Sequence, residues 1–153
     1  MLVRTDEEII TEAFKGNRAA VHLVFMLRDI ANMWDDLVDR DKEVSAEDVN
    51  RVMWAALVAI PMNPFYRQHI DVLQPAIQSF ILSWHMSNDL SHADYESRVI
   101  SHVERYSICN VMNLVAMLIA GPDHARDWAP TLRRMGQRDT LAQYLHELEA
   151  RDA

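Results

Sequence analysis

Glycine, proline and cysteine are scarce in this chain, at three, five and one among 153 residues. So few turn-formers leave no room for the tight reversals of a multi-stranded sheet. Cys109 stands alone, cannot close an internal disulfide, has no zinc-ligand spacing around it, and suits a reducing compartment. Bases are outnumbered, 15 against 23 acids, for a net charge of −8. Neutralising phosphates needs the opposite balance, so direct nucleic-acid binding is not expected. The longest strongly apolar run, LVAMLIAG at 114–121, is too short to span a bilayer. The opening residues, MLVRTDEEII, lack the apolar region of a signal peptide. A cytoplasmic protein with no membrane association is expected. Nucleophile-and-base triads, a glycine-rich phosphate loop and a dinucleotide fingerprint are also missing.

Half of the residues are hydrophobic, and Met, Leu, Ala, Glu and Arg are plentiful. That mixture favours helix, and the length suits a single domain over 1–153. The punctuation predicts an all-α fold, one compact bundle of six or seven mostly antiparallel helices. Thr5 with Glu8 makes a capping box for a first helix ending at Gly16. Asn17 caps a second that runs to about Arg40, and Ser45 with Asp48 opens a third that stops before Pro61. Asn63-Pro64 starts a fourth, with Ile70, Leu73, Ile77, Phe80, Ile81 and Trp84 as its core stripe and Pro75 as a bend. Ser91 and its neighbours favour a break near 87–91, then a fifth helix over roughly 92–120 stops at Gly121-Pro122. Short pieces near Trp128 and after Pro130 precede a last helix from about Thr140. Trp34, Trp54 and Trp84 read as core.

The second helix ends in WDDLVDRD, four aspartates in eight positions. On a wheel, Leu23, Leu27, Ile30, Ala31, Trp34, Leu37 and Val38 share one arc, and His22, Arg28, Asp29, Asn32, Asp35, Asp36 and Asp39 the other. A solvated surface face looks like this. Yet Asp29, Asn32, Asp36 and Asp39 form one line at steps of three and four, with few cations beside it. Aspartates at a helix C-terminus also oppose the dipole, which invites a compensating ion.

Asp35-Asp36-Leu37-Val38-Asp39 reads DDxxD and resembles the first aspartate-rich motif of class I isoprenoid (prenyl and terpene) synthases. Asn88-Asp89-Leu90 with Glu96 is similar to the second motif of terpene cyclases, with His92 in place of the family's hydroxyl. The resemblance covers about a sixth of the chain and implies an all-α, Mg²⁺-dependent transferase or lyase acting on a diphosphate or other small phosphorylated substrate. Asp35, Asp36, Asp39, Asn88, His92 and Glu96 would hold Mg²⁺, with Asp36 and Glu96 central to catalysis. His92 brings Mn²⁺ or Zn²⁺ into consideration. Arg105, Tyr106 and Asn32 would contact the substrate.

Two alternatives stay open. Nine methionines suit an adaptable contact surface, so the chain also reads as a non-catalytic acidic helical adaptor or inhibitor, a homodimer through 111–119. Glu8 and Glu12 with Asp36 and Asp39 loosely resemble the acidic pairs of all-α nucleotide pyrophosphohydrolases.

Overall fold

The computed structural model describes residues 2–153, and every regular element among them is helical. By contact density the chain divides into two compact units, with the boundary between Asp71 and Val72.

The first unit is organised around α2 (Arg18–Asp39). α1 (Asp6–Ala13) starts at the Thr5/Glu8 capping box, and Gly16 at φ 72° turns the chain towards Asn17, whose side chain caps α2. α3 (Ala46–Trp54) opens at the Ser45/Asp48 capping box. It continues without a break into a π-helical turn, Ala55–Ala59, and then α4 (Ile60–Met62). Asn63 ends this run and caps α5 (Pro64–Gln68). Ile10, Phe14, Ala20, Leu23, Val24, Leu27, Val52, Ile60 and Phe65 are buried together as the core. Each large aliphatic side chain hidden this way contributes roughly 1.5–3 kcal/mol.

Two apolar expectations fail in this unit. Burial along α2 stops at Leu27; Leu37 and Val38, at the helix end beyond the core, are exposed. Trp54 is not core either but 64% exposed, because Val52 and Ala55 take the inward positions of its helix.

The second unit holds α6 (Ile70–Leu90, whose first turn spans the boundary), α7 (Tyr95–Glu104), α8 (Ile108–Ala120), α9 (Pro122–Gly136) and α10 (Leu141–Asp152). α8 packs along α9, and α7 against α10. Val111, Met112, Val115 and Ala116, the face expected to dimerise, are buried inside this unit. A serine pair fastens α6 to α7. The Ser87 hydroxyl donates to the Ser101 carbonyl at 2.8 Å, and the Ser101 hydroxyl returns a bond to the Ser87 carbonyl at 2.6 Å. The Tyr144 hydroxyl completes the knot by donating to Ser101 Oγ at 2.7 Å, which brings in α10.

Helix limits differ from expectation at five places. The third helical run passes through Pro61, which sits in its last turn, and ends at Met62. α5 stops before His69 and α6 begins afresh at Ile70. The expected break at 87–91 lies at 91–94, where the Asp94 side chain caps α7. The helix expected over 92–120 is interrupted at 105–107. Pro130 does not divide α9. A proline removes one helical bond, but Ala125 and Leu132 on either side of it are buried and hold the helix together.

Among the described residues one stretch, Tyr95–Ala120, is long and apolar enough to cross a membrane by length and composition, at a mean hydropathy of 1.2. It is the α7–α8 pair. Its Ser101 and His102 are buried and bonded to protein groups, as in the core helices of a folded unit.

Candidate functional site

The first unit holds a cavity of about 660 Å³ between α2 and the α3–π run. His22, Phe25, Met26, Arg28, Asp29 and Asn32 come from α2; Arg51, Trp54, Ala55 and Ala59 face them, and Asp6 closes one side. Its size and mixed lining fall within the range of ligand and anchor-residue pockets. A π-turn in an otherwise α-helical run frequently marks a functional site, and here it supplies two wall residues.

Ion pairs brace the walls. Arg51 donates to both Asp29 oxygens, through Nε at 2.9 Å and Nη2 at 3.1 Å, and to Asp48 through Nη1 at 2.8 Å. This fork ties α3 to α2 in the bidentate geometry suited to arginine. The hydrogen bonds that Arg51 donates to Asp29 and then to Asp48 hold its guanidinium protonated, above its ordinary range. The Ser45 hydroxyl, with help from Arg51, holds the Asp48 carboxyl below the usual carboxylate value. Arg28 reaches Asp6 at 3.0 Å and lies 5.8 Å from the Phe25 ring centre. Three carboxylates therefore share two guanidinium groups around the cavity. The fork was not legible in the sequence because Asp29 and Arg51 are 22 positions apart.

The aspartate line of α2 divides. Asp29 and Asn32 line the cavity, whereas Asp35, Asp36 and Asp39 lie beyond it towards the helix end. Those three are half-buried although Leu37 and Val38 between them are exposed. Glu8 is occupied by its capping box and Glu12 by an ion pair with Arg4.

The remaining candidates belong to the second unit, where the break at 91–94 keeps three of them off one continuous helix. Asn88 is in the last turn of α6, His92 in the connection, and Glu96 exposed in the first turn of α7. His92 pairs with Asp152 at 3.5 Å, and Arg98 holds the same carboxylate at 2.9 Å. These contacts tie the C-terminal helix down. Arg105 lies 5.1 Å from the Tyr144 ring centre. The Tyr106 hydroxyl donates to Asp139 at 3.1 Å, and burial pushes its phenol up. The His102 ring donates to the Asp139 carbonyl at 3.0 Å. Tyr106 and Arg105 thus have structural partners in the packing of α7 on α10 and its preceding loop. Among the described residues no three His, Cys, Asp or Glu side chains gather closely enough to hold a metal ion.

Beside the cavity runs a surface that the wheel does not bring out. Met53, Trp54, Leu57 and Met62 are exposed in sequence along α3, the π-turn and α4, the last two at 67%. From Val52 to Tyr66 the chain carries no charged residue, although a quarter of the whole chain is charged. That uncharged run was a readable signal.

No family model and no solved structure matches the chain. A serine/threonine kinase NLK of Caenorhabditis briggsae is 33% identical over 86 residues, which is 54% of this chain and 12% of the kinase. The chain thus matches about an eighth of the length of that curated relative. The kinase signatures G-x-G-x-x-G, H-R-D and D-F-G are absent from its sequence, so the likeness brings no catalytic residues with it.

Proposed function

We propose that this chain is a non-catalytic helical interaction protein, cytoplasmic, whose first unit receives another polypeptide along α3, the π-turn and α4. One observation carries the reading. Met53, Trp54, Leu57 and Met62 form an exposed apolar line on an uncharged helical run, next to a cavity of about 660 Å³ that is large enough for an anchoring side chain. Single exposed apolar residues are ordinary, whereas a contiguous line beside a pocket marks a contact surface. Val52, Ala55 and Ile60 are buried beneath it and hold the run in place, so the surface exists before a partner arrives. Preorganisation of this kind lowers the entropic cost of binding.

Selection of peptides from a random displayed library tests the reading, with the wild-type protein as bait and the double variant Trp54→Ser/Leu57→Ser as counter-bait. Peptides enriched on the wild type and lost on the variant are expected. Failure to enrich any peptide, or equal binding to both baits, contradicts it.

A second reading is an Mg²⁺-dependent enzyme acting on a diphosphate, favoured by the half-burial of Asp35, Asp36 and Asp39 beside exposed Leu37 and Val38. The three carboxylates do not form a metal-holding group as they stand, so no reaction step is derived from them. A ligand that binds only the native state raises its melting temperature. On this reading Mg²⁺, Mn²⁺ or Zn²⁺ with pyrophosphate raises the Tm of the wild type and leaves Asp36→Ala unchanged. An unmoved wild-type Tm at millimolar metal contradicts it.

A further inference from the structure

We infer that the occupant of this surface is a cationic amphipathic helix of a partner protein, with a large apolar side chain seated in the α2–α3 cavity. The inference rests on the interaction reading above and names the partner's chemistry. Backbone recognition is closed to the partner, because the surface is helical and offers no strand edge. Side chains must make the contacts, and an amphipathic helix presents them at i, i+3, i+4 and i+7. From Met53 to Met62 the line rises about 14 Å at the helical 1.5 Å per residue, enough for nine or ten residues of a partner helix. Trp54 belongs both to the line and to the cavity wall, so the two form one continuous surface. Phe25, Met26, Ala55 and Ala59 supply the apolar lining for an anchor.

Charge selects the sign of the partner. Up to Asp71 the chain has thirteen acids against eight bases. At the cavity, Arg28 and Arg51 are already engaged by Asp6, Asp29 and Asp48, one carboxylate in excess. Glu43, in the connection before α3, and Glu47, in its first turn, add exposed negative charge, offset in part by the exposed Lys42. A helix with Lys or Arg flanking its apolar face meets attraction along this rim, which speeds encounter and rejects acidic competitors. A second copy of this unit brings its own acidic rim to within a Debye length and is repelled. An anionic membrane surface is repelled for the same reason.

The test is fluorescence anisotropy of a labelled eighteen-residue Leu/Lys peptide patterned as an amphipathic helix, at physiological salt. Its controls are a Leu/Glu peptide of the same pattern and a scrambled Leu/Lys peptide without helical periodicity. The patterned Leu/Lys helix is expected to bind at least tenfold more tightly than either control. Trp54→Ser/Leu57→Ser weakens it at least tenfold, and Leu82→Ser, on the exposed face of α6, leaves it unchanged. Equal binding of the scrambled peptide reduces the effect to bulk charge and overturns the inference. So does equal binding of the Leu/Glu helix, or undiminished binding by the double variant. Sedimentation showing a dimer abolished by that variant, or neutral vesicle binding abolished by it, assigns the surface to another occupant and also overturns the inference. If the library selection yields peptides dependent on Trp54 and Leu57 that are acidic or non-helical, the cationic helix is wrong and the interaction reading stands. If it yields none, the reading itself fails.

Discussion

Asn63→Ala is expected to destabilise the first unit by about 2–3 kcal/mol, the sum of a lost N-cap and a lost tertiary hydrogen bond. Asn63 is buried and uses both ends of its amide. Its oxygen accepts from the Tyr66 backbone at 3.0 Å and caps α5. Its Nδ2 donates to the Ala19 carbonyl at 2.9 Å, pinning this corner to the first turn of α2. Asn63→Asp separates the two roles. A carboxylate still caps, but it faces the Ala19 carbonyl without a proton to give. Burial beside a carbonyl raises the pKa of that carboxyl above its unfolded value near 4. The protonated form can donate, so the variant lies closest to wild type below the unfolded pKa. Its deficit grows as the pH rises from there through the folded pKa. Chemical denaturation of both variants at several pH values measures this. A pH-independent deficit for Asn63→Asp removes the Ala19 bond from the account.

Gly136→Ala is expected to destabilise the second unit by about 1–3 kcal/mol, the cost of overpacking a close contact. Helix propensity alone points the other way, since alanine in a helix gains up to ~1 kcal/mol over glycine. Gly136 is the last residue of α9 and has no left-handed backbone to protect. Contact decides the sign: a Cβ placed there would meet the Cys109 sulfur on α8, far inside normal separation. The sulfur is one bond from its own Cβ, is buried, and lies 3.8 Å from the Leu132 carbonyl as a weak donor, so it has little room to yield. Removing it by Cys109→Ala should reverse the effect, leaving Gly136→Ala neutral or slightly stabilising in that background. A double-mutant cycle read by denaturation detects the reversal. Equal effects of Gly136→Ala in both backgrounds would show that the α8–α9 approach is not limited by this contact.

Local chemistry was legible wherever a single side chain settles it. Thr5, Asn17, Ser45, Asn63 and Thr140 all cap helices, and Gly121-Pro122 separates α8 from α9. The break before α7 was anticipated at 87–91, a few residues ahead of the Asp94 cap, because Ser87, Asn88 and Ser91 offer equivalent caps nearby. Ser87 is instead consumed by its reciprocal bonds with Ser101, a choice made by α7 from fourteen residues away. The interruptions at His69 and 105–107 carry no glycine or proline to announce them. The candidate site was legible in fragments. Asp29 and Asn32 were on the right face, but Arg51 reaches Asp29 from another helix. Trp54 was assigned to the core because size and apolarity favour burial. Its helix has two apolar sides, and α2 can cover only one.

The exposed side of that helix is the centre of the functional account. Its most direct measurement is a titration of the patterned Leu/Lys helix into ¹⁵N-labelled protein, following backbone amide shifts. Perturbations are expected along 52–63 and on the cavity-facing side of α2 at Phe25, Asp29 and Asn32, with α8 and α9 undisturbed. Shifts centred on the exposed Leu82, Ile100 or Val103 of the second unit, or spread evenly over the acidic surface, would contradict it.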